Sequence, residues 1–119
     1  MGSAEFAVPS LRALCARHSI AGVVTQPGRG RENAATPVKR LAEELNLPLY
    51  QPSRVKDPAV LDWLKGLSPE VIVVVAYGQI LPSSVLSLPP RGCVNLHGSL
   101  LPRYRGAAPV QWSVIRGEK

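Results

Sequence analysis

Val71-Ile72-Val73-Val74-Val75-Ala76 is the stretch on which the fold turns. Every residue in it is apolar, the first five are β-branched, and no polar residue alternates with them. A strand with one wet face alternates; a strand covered on both faces does not, and such strands belong to parallel sheets enclosed by helices. The run is also far too short to cross a bilayer, which takes about 20 apolar residues in a helix. Tyr77-Gly78 ends it, and Ile80 to Leu88 carries the composition of a short helix and turn.

Working outward from this strand, the chain alternates helices with short apolar runs. Upstream, Asp57-Pro58 opens a helix that turns Val60, Leu61 and Leu64 inward, with Asp57 as cap and Pro58 at the first helical position. Before it, Leu47 to Tyr50 supplies a brief strand. Thr36 and Pro37 open another helix, reaching to about Asn46, by the same cap chemistry. Gln26 to Thr36 is a loop on composition, Ile20 to Thr25 a buried strand, and Pro9 sits near the start of a helix whose buried face is Leu11, Leu14 and Cys15. Downstream, a strand starts near Cys93 with its alternation running from Val94 to His97, and a helix begins near Pro109. Helix and strand alternate throughout, which predicts an α/β fold with a doubly wound, mainly parallel sheet and helices on both faces.

A chain of 119 residues is at most one domain with a modest core. It is 45% hydrophobic, which excludes disorder, but only 5% aromatic, so aliphatic side chains must fill the core. The net charge of +6 suits an anionic partner such as nucleic acid, and it is spread along the chain with no basic tail. Cys15 and Cys93 lie in apolar contexts and read as reduced, buried thiols, which points to a reducing cytosol and a cytoplasmic protein. Two cysteines and two histidines without ligand spacing predict no metal site. No signal-peptide or membrane pattern is present.

The chemistry is concentrated between Cys93 and Trp112. Period-2 alternation puts Val94 and Leu96 on one side of a strand and Asn95 and His97 on the other. The chain then leaves through Gly98-Ser99, turns at Pro102 and meets Gly106-Ala107-Ala108-Pro109. An amide and an imidazole therefore sit at the carboxyl end of a strand, the edge where open α/β sheets bind ligands. An imidazole changes charge near neutral pH and can carry protons; an amide can donate to a developing oxyanion. Taken alone, the pair fits better a buried Asn–His couple that satisfies strand-end backbone groups.

The segment Asn95-Leu96-His97-Gly98-Ser99-Leu100-Leu101-Pro102-Arg103-Tyr104-Arg105-Gly106-Ala107-Ala108-Pro109 resembles the folate-binding and catalytic signature of the formyltransferases that use 10-formyltetrahydrofolate. Within that family it is most similar to the bacterial methionyl-tRNA formyltransferases. Phe6 to Leu11, the Arg29–Arg31 loop and Arg103 to Pro109 favour that branch over sister enzymes acting on a small substrate such as a glycinamide ribonucleotide, a sugar amine or water. The resemblance implies a Rossmann-like fold and transfer of a formyl group to the amino group of methionyl initiator tRNA in translation initiation. It implies a monomeric parent and no metal.

On that resemblance Asn95 and His97 are the catalytic residues. Ser99, Leu100, Leu101 and Pro102 contact the folate, and Tyr77, Gly78 and Ile80, just past the central strand, form the second wall of its pocket. Arg29 and Arg31 resemble the basic loop that grips the tRNA acceptor stem, here a few residues shorter than is usual; Lys39 on the next helix extends that basic face or is simply its solvent side. Arg103 and Arg105, flanking Tyr104, suit phosphate contact and base stacking, or are solvated loop arginines. An aspartate further along orients the histidine in the family, and its position falls beyond Lys119.

The expected domain is therefore residues 1–119 as an incomplete N-terminal formyltransferase domain. It lacks a first strand, its carboxyl part and the C-terminal tRNA-binding domain, so it should be inactive alone and prone to self-association. The reading from a different class is a folate-binding α/β module without catalysis.

Overall fold

The computed structural model describes residues 1–28, 34–106 and 108–117. After a 3-10 turn at Glu5–Ala7 the elements are α1 (Val8–Cys15), β1 (Val23–Val24), α2 (Pro37–Glu44), β2 (Leu49–Tyr50), α3 (Pro58–Leu67), β3 (Ile72–Val75), α4 (Ser83–Leu86), β4 (Cys93–Leu96) and α5 (Pro109–Ile115). The order is the one that alternation predicts. The helix starts also follow local chemistry: Thr36 Oγ1 accepts from Lys39 N at 3.1 Å, Asp57 Oδ1 from Ala59 N at 3.1 Å, and α1, α2, α3 and α5 all carry proline in the first turn.

The strands are shorter than the apolar runs. Ile20 to Thr25 yields only Val23–Val24, because pairing is set by the partner: Val23 lies beside Leu49 and Val24 beside Tyr50, in parallel. The second parallel pair is longer and aligns Ile72 with Cys93, Val73 with Val94, Val74 with Asn95 and Val75 with Leu96. The two pairs are not hydrogen-bonded to each other among the described residues. Where a first strand was expected to be lacking, the leading segment lies between them: Gly2 N donates to Val24 O at 3.0 Å, Val75 N to Met1 O at 2.9 Å and Ser3 N to Ala76 O at 3.3 Å. Gly2 forms a parallel bridge with Val75. The order across the molecule is thus β2, β1, Met1–Ser3, β3, β4.

In line with this central tripeptide, towards the amino ends of β1 and β3, is a cavity of about 480 Å³. Met1, Leu11, Leu14, Gly22, Leu64 and Val73 help to line it. It explains why Leu11 and Leu14 are only half-buried although they belong to the inward stripe of α1. Gly22 is tied to the same region: a Cβ there would come within 2.6 Å of Trp63 Cη2 and Leu67 Cδ1.

The core has two parts. One gathers Val24, Val55, Val60, Leu64, Ile72, Tyr77 and Val85; the other gathers Ala7, Val23, Val38, Ala42 and Val75. Tyr50 and Trp63 stack obliquely with ring centroids 5.3 Å apart, joining β2 to α3. Coverage stops at β4. Val94 and Leu96 are 56% and 48% exposed, and α5 buries none of its residues, so the second face expected on this strand is open among the described residues. Both cysteines are free and half-buried, and burial pushes the Cys93 thiol up.

Tyr77 is the one buried side chain whose polar atom has no hydrogen-bond partner among the described residues. Burial also raises its phenol above its ordinary value, so the hydroxyl stays neutral. A buried unpaired hydroxyl costs about 1–3 kcal/mol. Tyr77→Phe is therefore expected to hold or raise the urea midpoint; a loss above about 1 kcal/mol would mean that the hydroxyl has a partner.

Candidate functional site

β3 and β4 run parallel, so Ala76–Ile80 and His97–Leu101 leave the sheet at one edge. On β4 Asn95 is exposed and His97 half-buried, and alternation turns both to the same side. His97 Nδ1 lies 3.0 Å from Ser99 Oγ. Ser99 Oγ in turn donates to Arg103 O at 2.6 Å, with Tyr104 O at 3.5 Å. The sequence places Ser99 in a ligand wall; its hydroxyl is the knot that ties the histidine to the following turn.

That turn is tight. Tyr104 and Ala108 have φ of 53° and 63°, and on the neighbouring strand exit Ala76 has 45°. Left-handed backbone at a residue with a Cβ costs about 1 kcal/mol and collects at functional sites. Gly98 brings the start of α5 close: a Cβ there would meet Val110 Cγ2 at 3.1 Å and Pro109 Cγ at 3.2 Å. Gly78 has φ +83° and already lies so near Gln26 Nε2 that a Cβ would fall 2.7 Å from it. Gly98 is tightly packed, and at Gly78 the positive φ strains any larger residue.

The expected wall residues separate into two groups. Ile80, Leu100 and Leu101 are 86%, 87% and 54% exposed, Pro102 is exposed after a cis peptide, and Gly78 is exposed. Tyr77 is different, for its ring is 2% exposed within the core. It reaches the site edge only through its carbonyl oxygen, which accepts from Gln26 Nε2 and Ser3 Oγ. The left-handed turn at Ala76 precedes Tyr77 and breaks the strand alternation from which an outward ring would be inferred.

The basic residues are scattered. Arg103 and Arg105 are exposed beside the histidine turn. Lys39 pairs with Glu43 at 3.7 Å on its own helix, the arrangement of a solvated helix face. Arg29 and Arg31 lie outside the described residues. The sequence reading missed Arg116, whose guanidinium carbon is 5.9 Å from the Tyr104 ring centroid and adds a cation to the Arg103–Arg105 turn. It also missed Gln26 and Gln79. Gln79 Oε1 accepts from Val55 N at 2.8 Å and its Nε2 donates to Ser53 O at 3.1 Å, fixing the β3 exit to the loop before α3. An amide directly after a Gly in a strand exit was the available signal.

A family profile described as formyl transferase matches residues 4–119. The methionyl-tRNA formyltransferase of Pelotomaculum thermopropionicum is 55% identical over 124 aligned positions, covering 100% of this chain and 40% of that protein. That of Acetivibrio thermocellus is 52% identical over the same shares, and that of Syntrophus aciditrophicus is 54% identical over 99% of this chain and 39% of its own length. This chain spans about 40% of the length of the curated relatives it matches.

Proposed function

The chain belongs to the formyl transferase family, and on that premise we propose that it forms part of the catalytic domain of an enzyme that formylates the amino group of methionyl initiator tRNA. The donor is 10-formyltetrahydrofolate and the compartment is the cytoplasm. The observation that carries this reading is the pairing at the β4 exit: Asn95 and His97 on one side of the strand, with the histidine held at Nδ1 by Ser99.

Exposed Ile80, Leu100 and Leu101, with the bare backbone of Gly78, fit a flat, apolar heterocycle with hydrogen-bonding edges. Those residues would hold the folate, which supplies the formyl carbon. His97 takes a proton from the attacking amine and returns one to the leaving nitrogen; Asn95 donates its amide N–H to the oxyanion that develops on the formyl oxygen. Arg103 and Arg105 lie where a phosphate-bearing acceptor would pass. The relatives named for methionyl-tRNA support this acceptor over a small amine.

The test is a chimera in which this chain replaces the matching part of the Pelotomaculum thermopropionicum protein. Formyl transfer from 10-formyltetrahydrofolate to charged initiator tRNA is expected in the chimera and not in the 119-residue chain alone. A chimera that ignores tRNA and turns over a small amine would move the assignment to a sister enzyme. Folate binding with no transfer to any amine would favour a non-catalytic module.

A further inference from the structure

A serine hydroxyl has a single hydrogen, and that of Ser99 is committed: Arg103 O, at 2.6 Å, accepts it. Towards His97 Nδ1, 3.0 Å away, Ser99 Oγ can therefore only accept. The proton of a neutral imidazole must then sit on Nδ1, which leaves the lone pair on Nε2. From this geometry we infer that Ser99 is a positioning residue for His97, fixing its tautomer and ring orientation so that Nε2 is the nitrogen that exchanges protons. The assignment of a catalytic task to Nε2 rests on the reading of His97 as the proton carrier; the tautomer itself does not.

The arrangement extends over a closed turn. Ser99 binds the carbonyl four residues on, so the histidine is braced by the same loop that carries Arg103 and Tyr104. Movement of that loop would release the Nδ1 partner and let the ring turn. In a free neutral imidazole the Nε2–H form prevails, so a protein that needs the other form has to hold it with an acceptor at Nδ1.

The 119-residue chain, labelled with 15N at histidine, answers the question directly. Long-range 1H–15N correlation at about pH 8.5, where imidazoles are neutral, distinguishes the two tautomers, with His18 as internal reference. His97 is expected in the Nδ1–H form, in the Nε2–H form after Ser99→Ala, and again in the Nδ1–H form in Ser99→Thr. An Nε2–H form in the unsubstituted chain, or no change in Ser99→Ala, would overturn the inference. In the active chimera Ser99→Ala should lower kcat roughly tenfold or more with KM for the folate unchanged, and Ser99→Thr should recover most of it. If the spectra behave as expected but His97→Ala leaves transfer intact, the proposed function fails while the hold on His97 stands. If His97→Ala abolishes transfer while the tautomer ignores Ser99, the positioning role fails alone.

Discussion

Replacing His97 by alanine in the chimeric enzyme is expected to lower kcat for formyl transfer by about 10²–10⁴-fold, the usual worth of a placed general acid–base. The reason is local. His97 leaves β4 just beyond Leu96, is half-buried, and has one ring nitrogen held by Ser99, so among the described residues the other is left to exchange protons at the sheet edge. Folate affinity should change little, because the apolar wall at Ile80, Leu100 and Leu101 is separate from the imidazole in the chain. Asn95→Ala should cost about 10²–10³-fold, the loss of one oxyanion donor, again in kcat. The double variant should fall no further than the worse single one if both act in one step. A His97→Ala enzyme with intact kcat and a raised KM would make the histidine a binding residue and remove the chemistry assigned to it.

How much of this was legible beforehand depends on the kind of signal. Element order was, because β-branched runs such as Val71 to Val75 and cap-proline pairs such as Thr36-Pro37 and Asp57-Pro58 act within a few residues of themselves. Strand length was not. Ile20 to Thr25 has strand composition throughout, but only the residues that meet Leu49 and Tyr50 pair. Met1 to Ser3 gave no periodic signal at all, yet the tripeptide lies between the two strand pairs through bonds to Val24, Val73, Val75 and Ala76. In the site, Asn95 and His97 were legible because alternation alone puts them on one side. The partner of His97 was not, since the Ser99 bond depends on a turn that closes at Arg103. Tyr77 was placed beside the pocket by resemblance alone, and after the left-handed residue Ala76 its ring lies in the core. Lys39 was open to two readings in the sequence, and its neighbour Glu43, 3.7 Å away, comes into view only once the helix is formed.

The central tripeptide leads to the other large effect, on stability. The amino group of Met1 donates to Val73 O at 2.6 Å and lies at the cavity between β1 and β3, among apolar side chains. Burial lowers it from 8.0 to about 6, opposed in part by the nearby Cys93 thiol. The folded chain therefore prefers the neutral amine, while the unfolded chain holds its proton up to about pH 8. Between those values the unfolded state binds more protons, so stability must rise with pH across the window from about 6 to 8 and be lost again as pH falls through it. The size is about 2–3 kcal/mol at the full shift, a large part of the stability of a domain this small. Urea unfolding of the chain with Met1 retained, checked by mass, should show this slope. Nα-acetylation removes the charge at every pH, and the cavity of about 480 Å³ beside Met1 has room for an acetyl group. The acetylated chain should therefore lose the slope and match or exceed the free amine at low pH. Equal slopes in the two chains would mean that the amino group keeps its proton on folding, and that Met1 does not lie between β1 and β3 in solution.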